Sequence, residues 1–313
     1  ALNKTQKIST VHHCTAHSLF QEQESATNIP RCKQQGILVL KEELMIIDTH
    51  IHIGGKAGTF DMKESDVLYA IQTYHIDKAI VSNADSLEFD ANHVILPEKL
   101  QVSQYNSNVR MINFARNNSS RLYAAAWIKP NTERLDKQFS ELLKRNLDIV
   151  KAIKVHPFYS ALAFNNEKMY EYIELARKLN LPVITHTAND KFSNPELVFE
   201  MAKKYPDVKF IMAHLELDSD NKRATELCAQ LPNLYADTAW VSLDSAISFI
   251  KKCGSEKLLF GSDTPIDGRD TYLKNKEGKR SIYQDYFFEL EKCISPAEYE
   301  NVMYKNAQRI FSL

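Results

Sequence analysis

The run Met45-Ile-Ile-Asp48-Thr-His50-Ile-His52-Ile is apolar and ends by presenting two histidines two residues apart. In a β-strand such residues lie on one face, so His50 and His52 share a side and could hold one cation. Three later apolar runs also end in a metal-ligand type: Leu181 to His186, Lys209 to His214 and Lys257 to Asp263. Imidazole nitrogen and carboxylate oxygen suit zinc and similar divalent ions. One such residue alone reads first as a core or capping His or Asp. Five of them, all at strand ends, point to chemistry.

The elements that must position them alternate. Strands are expected at about 45–52, 78–83, 121–128, 149–156, 182–187, 207–213, 233–237 and 257–262. Helices are expected at about 64–75, 98–117, 132–146, 166–180, 194–204, 219–230 and 241–253, with a pair near 280–292 and 296–309. Asn194-Pro195-Glu196 and Ser295-Pro296-Ala297-Glu298 read as helix starts, the second with a capping box. Eight β-α units in roughly 265 residues fit a single-domain α/β fold, the (β/α)8 TIM barrel over 45–313. An open doubly wound sheet would call for a Gly-rich phosphate loop after a strand, and none is present. In a barrel the site lies at the C-terminal strand ends, and all the candidates, with His156 at the end of the fourth strand, fall there.

Residues 1–44 differ. They are polar without a sustained period and read as an N-terminal arm rather than a metal site, despite His12, His13, Cys14 and His17. Lys41-Glu42-Glu43 can be encoded as a ribosome-binding sequence just before Met45, which predicts natural translation from Met45 and a non-native arm. Hydrophobic residues at 44% and charged residues at 25% describe a soluble globular chain. A net charge of −1 argues against a nucleic-acid surface. No apolar run is long enough to span a bilayer, and residues 1–20 hold no apolar signal core. Five scattered cysteines without a CxxC pair read as reduced thiols, and the expected location is cytoplasmic.

With Asp48-Thr-His50-Ile-His52, Ile153-Lys-Val-His156-Pro, His186, His214, Gly261-Ser-Asp263-Thr-Pro265 and the tail Lys305 to Phe311 in place, the chain resembles the metal-dependent amidohydrolase superfamily. The resemblance spans about 45–313 and is nearest the branch of aminocarboxymuconate-semialdehyde decarboxylase and related lactone hydrolases. It implies one divalent ion, zinc first, on His50, His52, His186 and Asp263. It implies Asp263 and His214 as the catalytic pair, the first accepting a proton from water, the second acting as acid/base or polarising group. Asp48 is either an orienting acceptor for a ligand imidazole or a structural polar group. Lys154, if carbamylated, would bridge two metals and move His186 and His214 to the second. His156, Lys154, Trp127 and Arg269 are candidate substrate contacts, Arg269 from a long segment, 264–279, that reads as a lid. Lys129, Asp237, Thr238 and Trp240 read as pocket shaping or loop packing. The expected activity is hydrolysis of a small ester, lactone or amide. Its rival is non-oxidative decarboxylation of a small aromatic or unsaturated acid, with Arg269 and Lys129 as carboxylate anchors. The partners expected are a small-molecule substrate and a second copy in a homodimer, with no nucleic acid and no membrane.

Overall fold

The computed structural model describes residues 44–58 and 60–313. The expectations for residues 1–43, including the histidines and Cys14 of the arm, lie outside the described residues. Eight parallel strands run in chain order: β1 (Ile47–Ile53), β2 (Lys78–Asn83), β3 (Leu122–Trp127), β4 (Val150–Val155), β5 (Val183–Ala188), β6 (Phe210–Leu217), β7 (Leu234–Asp237) and β8 (Leu258–Leu259). A helix separates each consecutive pair, from Glu64–Thr73 to Leu243–Cys253. The expected helix starts are present: Asn194 accepts from Glu196 N ahead of Pro195, and Ser295 and Glu298 form the reciprocal capping box.

The ring closes through the residues that follow β8 rather than through β8 itself. Thr49 N donates to Phe260 O (2.9 Å), Asp263 N to His50 O (2.7 Å) and His52 N to Thr264 O (2.7 Å). This is the expected (β/α)8 barrel. The expected eighth strand, 257–262, is reduced to two regular residues because the chain bends out of the ladder to make these bonds.

Two apolar layers sort the strand residues by parity. Ile46, Ile51, Ile53, Val81, Val155, Phe210, Met212 and Phe260 pack outward under the helices. Ile47, Ile80, Ala125, Ala152, Ile184, Ile211, Tyr235 and Leu259 fill the barrel, one from each strand, and Ala307, Ile310 and Phe311 of the C-terminal helix (Asn306–Phe311) pack with them. Asn306 fixes that helix by donating to Ser255 O (2.7 Å) and Leu258 O (2.8 Å). Stepping two residues onward from the inner layer, strict alternation points Ser82, Trp127, Lys154, His186, Asp237 and Gly261 inward at the top. Cys228, Cys253 and Cys293 are free thiols. No helix among the described residues is long and apolar enough to cross a membrane.

Candidate metal centre

Two strands need an irregularity to bring their histidines inside. On β1, Ile47 faces in and Ile51 and Ile53 face out, and the register against β2 shifts between Asp48 and Ile51. The shift turns His50 and His52 inward and Asp48 away from them. On β6, Ile211 and Ala213 face in, so alternation would turn His214 out. Here His214, Leu215 and Glu216 take left-handed backbone (φ 69, 46 and 71°), and the register against β5 jumps from His186↔Ala213 to Ala188↔Leu217. Such residues cost about 1–2 kcal/mol each. The bulge is offset by Asp237 Oδ1 accepting from His214 N (2.9 Å), Thr187 Oγ1 accepting from Glu216 N (3.0 Å) and the Arg223–Glu216 ion pair (2.5 Å). Its effect is to bring the His214 ring to 5.0 Å from that of His50 and 4.8 Å from that of His186, centroid to centroid.

Three donor atoms converge. His50 Nε2 lies 3.0 Å from His52 Nε2, and Asp263 Oδ1 lies 2.9 Å from His52 Nε2 and 3.5 Å from His50 Nε2. The Lys154 ammonium nitrogen is 3.0 Å from His50 Nε2. All four side chains are buried. The far nitrogens are occupied: His50 Nδ1 meets Asp237 Oδ2 (2.8 Å) and His52 Nδ1 meets Ser82 Oγ (2.7 Å). A carboxylate facing Nδ1 fixes the His50 proton there and leaves a lone pair at Nε2, pointing into the cluster.

Burial holds His50, His52, His156 and His186 below the usual histidine range, and His214 down at about 4, so these rings are neutral and have lone pairs to offer. Burial also lowers Lys154, to about 8, against the pull of Asp263 and Asp237. For Asp263 burial raises the carboxyl, but the His52 hydrogen bond and the attraction of His50, His52 and His214 in their protonated forms outweigh it, and the carboxyl stays well below its ordinary range. Imidazole lone pairs and a carboxylate oxygen facing one point are the donor set of a divalent cation. Donors about 2.0–2.1 Å from a tetrahedral ion stand roughly 3.3 Å apart, close to the spacings here. The residues fit an ion.

His186 stands beside this cluster. Its ring stacks on His156 (3.9 Å between centroids, 15° between planes), and its donor atoms are not within the 4.8 Å grouping of His50, His52 and Asp263. The Trp127 ring lies nearly parallel to that of His156 (5.8 Å between centroids, 14°) and 5.5 Å from the His52 ring. Above it Met62, Leu87 and Leu96 form an apolar wall with Phe60, Tyr159 and Ile266 against it.

Other expected contacts lie elsewhere. Arg269 is exposed, its guanidinium 3.6 Å from the Tyr69 ring centroid on an outer helix. Lys129 is buried, donating to Val102 O (2.9 Å) beside Glu133 (3.2 Å). Asp48 orients no imidazole: it accepts from His50 N (2.9 Å), Ser262 N (3.2 Å) and the Tyr272 hydroxyl (2.8 Å), and burial pushes it up to about 7. It is a clasp between β1 and the residues after β8. The 264–279 segment is tied down by that Tyr272 and by Tyr74 donating to Asp270 (2.7 Å). The orienting carboxylate is Asp237, for which the sequence offers only pocket shaping or loop packing. Ser82 carries no mark in the sequence beyond its place on the inward parity near the end of an apolar strand.

The family model described as amidohydrolase matches residues 47–313. No significant match is found among curated protein sequences. Among solved structures the chain is similar to a probable 2-pyrone-4,6-dicarboxylic acid hydrolase from Acinetobacter baumannii (14% identity, 86% of this chain and 100% of that one, TM-score 0.59). It is also similar to 4-oxalomesaconate hydratase from Rhodopseudomonas palustris (16%, 86% and 96%, TM-score 0.62). A third is 5-carboxyvanillate decarboxylase from Novosphingobium aromaticivorans, complexed with manganese and a nitrobenzoic acid (10%, 87% and 97%, TM-score 0.60). At these identities the likeness speaks for the shared barrel, while the model covering β1 to the last helix decides the lineage: the chain belongs to the amidohydrolase family.

Proposed function

We propose that this protein is a metal-dependent hydrolase of a small ester, lactone or amide. The observation that carries the reading is the convergence of His50 Nε2, His52 Nε2 and Asp263 Oδ1 within 3.5 Å of one another. These three would hold the ion, with Lys154 Nζ adjoining, and His186 would have to turn off His156 to join them. A divalent ion supplies Lewis acidity and lowers the pKa of water towards about 7. Zinc is our first assignment, with manganese next.

The remaining steps belong to the chain. The His214 Nδ1 faces Ala239 O (3.2 Å), an acceptor only, so the neutral ring carries its proton there and offers Nε2 as a base. His156 has the opposite polarity: its Nδ1 accepts from Tyr159 N (3.5 Å), which leaves Nε2–H to donate to a substrate oxygen. Asp263 is ionised and can take the second proton of water, while the proton first accepted by His214 passes to the leaving oxygen or nitrogen. Trp127 and the apolar wall exclude solvent and favour a flat, weakly polar substrate.

We place hydrolysis ahead of decarboxylation because the two residues expected as carboxylate anchors are engaged elsewhere, Arg269 on Tyr69 and Lys129 on Val102. The test is the metal-loaded protein against lactones, esters and hydroxybenzoic acids, scoring acid release and carbon dioxide separately. Carbon dioxide release without hydrolysis would overturn the assignment in favour of the lyase.

A further inference from the structure

Asp263 has two oxygens, and only one faces the donor cluster. Oδ1 is the atom near His50 and His52, while Oδ2 accepts a hydrogen bond from the Trp240 indole Nε1–H (2.9 Å). Two features show that this contact is built in. Trp240 and Asp263 both hold left-handed backbone (φ 61° each), a conformation that costs a non-glycine residue about 1–2 kcal/mol and persists only where its surroundings impose it. The same two segments are also bridged through Tyr283. Trp240 N donates to the Tyr283 hydroxyl (3.3 Å), which donates to Ser262 O (2.5 Å), one residue before Asp263. The loop after β7 and the bend after β8 are thus locked together twice, once through main chain and once through the indole.

We propose that Trp240 is a positioning residue that restricts Asp263 to single-oxygen ligation. The inference rests on the metal reading above. A carboxylate can bind an ion through one oxygen or chelate it with both, and a chelating Asp263 would fill the position that an attacking water needs. A donor parked on Oδ2 holds the carboxylate plane and keeps that oxygen off the ion. The indole has only a donor, so it cannot reverse its role.

The test uses Co2+ as the probe, because its ligand-field bands weaken as coordination number rises from four to six. The full-length protein and its Trp240→Phe variant are loaded with Co2+ and their visible spectra compared at equal occupancy. The expected result is full loading of both, with weaker bands in the variant as Oδ2 joins the ion. A fall in kcat of about 10–100-fold, with KM within about twofold, should accompany it on whichever ester or lactone the panel identifies. Tyr283→Phe, which cuts the main-chain bridge but keeps the indole, should shift the spectrum the same way by less, and it decides the matter if Trp240→Phe does not fold. Superimposable spectra at full loading would overturn the role of Trp240, even if thermal stability fell. A parent protein that takes up no Co2+ would overturn the metal reading and this inference with it.

Discussion

Replacing Asp237 with asparagine tests the site through a single proton. Asp237 Oδ2 faces His50 Nδ1 (2.8 Å), while Oδ1 accepts from His214 N (2.9 Å) and Ala239 N (3.1 Å). An asparagine of the same shape offers one oxygen and one NH2. If the oxygen stays with the two backbone N–H groups, the NH2 faces His50 Nδ1, which must give up its proton and carry it at Nε2. That proton then occupies the space beside His52 and Asp263 where the ion belongs. The reverse flip would leave two buried N–H groups facing an NH2, at about 1–3 kcal/mol each, so the first arrangement prevails. Loss of a partner to a ligand imidazole weakens metal binding by about 10–100-fold, or roughly 1.4–2.7 kcal/mol. Competition for Zn2+ against a chromophoric chelator at neutral pH measures it. Ser82→Ala is the comparison: a hydroxyl can donate or accept, so it does not dictate the His52 tautomer, and its removal should cost less. An Asp237→Asn protein that binds Zn2+ within about twofold of the parent would refute the tautomer argument.

Dialysis against a chelator should abolish activity, and restored protein should contain one ion per chain by elemental analysis. Two ions, with a carbamate mass on Lys154, would favour the binuclear arrangement. His214→Ala should keep its ion and lose at least about 10²-fold in kcat, and a metal-free variant would make His214 a ligand instead. Burial holds His214 at about 4 against 6.5 for an exposed ring, so the unfolded chain takes up the proton first as pH falls. Stability of the metal-free protein, full above pH 6.5, should therefore be lost on going towards pH 4, by on the order of 3 kcal/mol from this residue. Urea unfolding of His214→Gln should show the shallower pH slope. Gly261 sits where a Cβ would lie 3.0 Å from His50 Cβ and 3.2 Å from Asp237 Cβ, so Gly261→Ala should cost about 1–3 kcal/mol and weaken the ion, both readable by thermal unfolding with and without metal.

The strands were legible because buried parallel strands are short apolar runs, and β2 was placed to the residue. His186 and Lys154 face inward by simple alternation from Ile184 and Ala152 of the inner layer. What sequence could not supply was the departure from alternation. His214 reaches the barrel interior only through three left-handed residues, none of them glycine, and the β1 shift that separates Asp48 from His50 has no compositional mark. The roles of Asp237 and Ser82 depend on contacts 187 and 30 residues apart along the chain, the first created by closure of the barrel and the second by the pairing of β1 with β2. Arg269 and Lys129 were read by charge, and charge does not reveal that an aromatic face or a backbone carbonyl already engages each side chain.

The barrel closes along a seam between β1 and the bend after β8, and the donor cluster lies across it: His50 and His52 stand on one lip, Asp263 on the other. An ion bound there would act as a stitch, holding shut a ring whose last strand has only two regular residues. Ligand linkage makes that stitch worth about 2.7 kcal/mol at a hundredfold excess over Kd. Opening of the ring and escape of such an ion would then be one event, and the amides of His52 and Asp263, which span the seam, are where its loss would first register in hydrogen exchange.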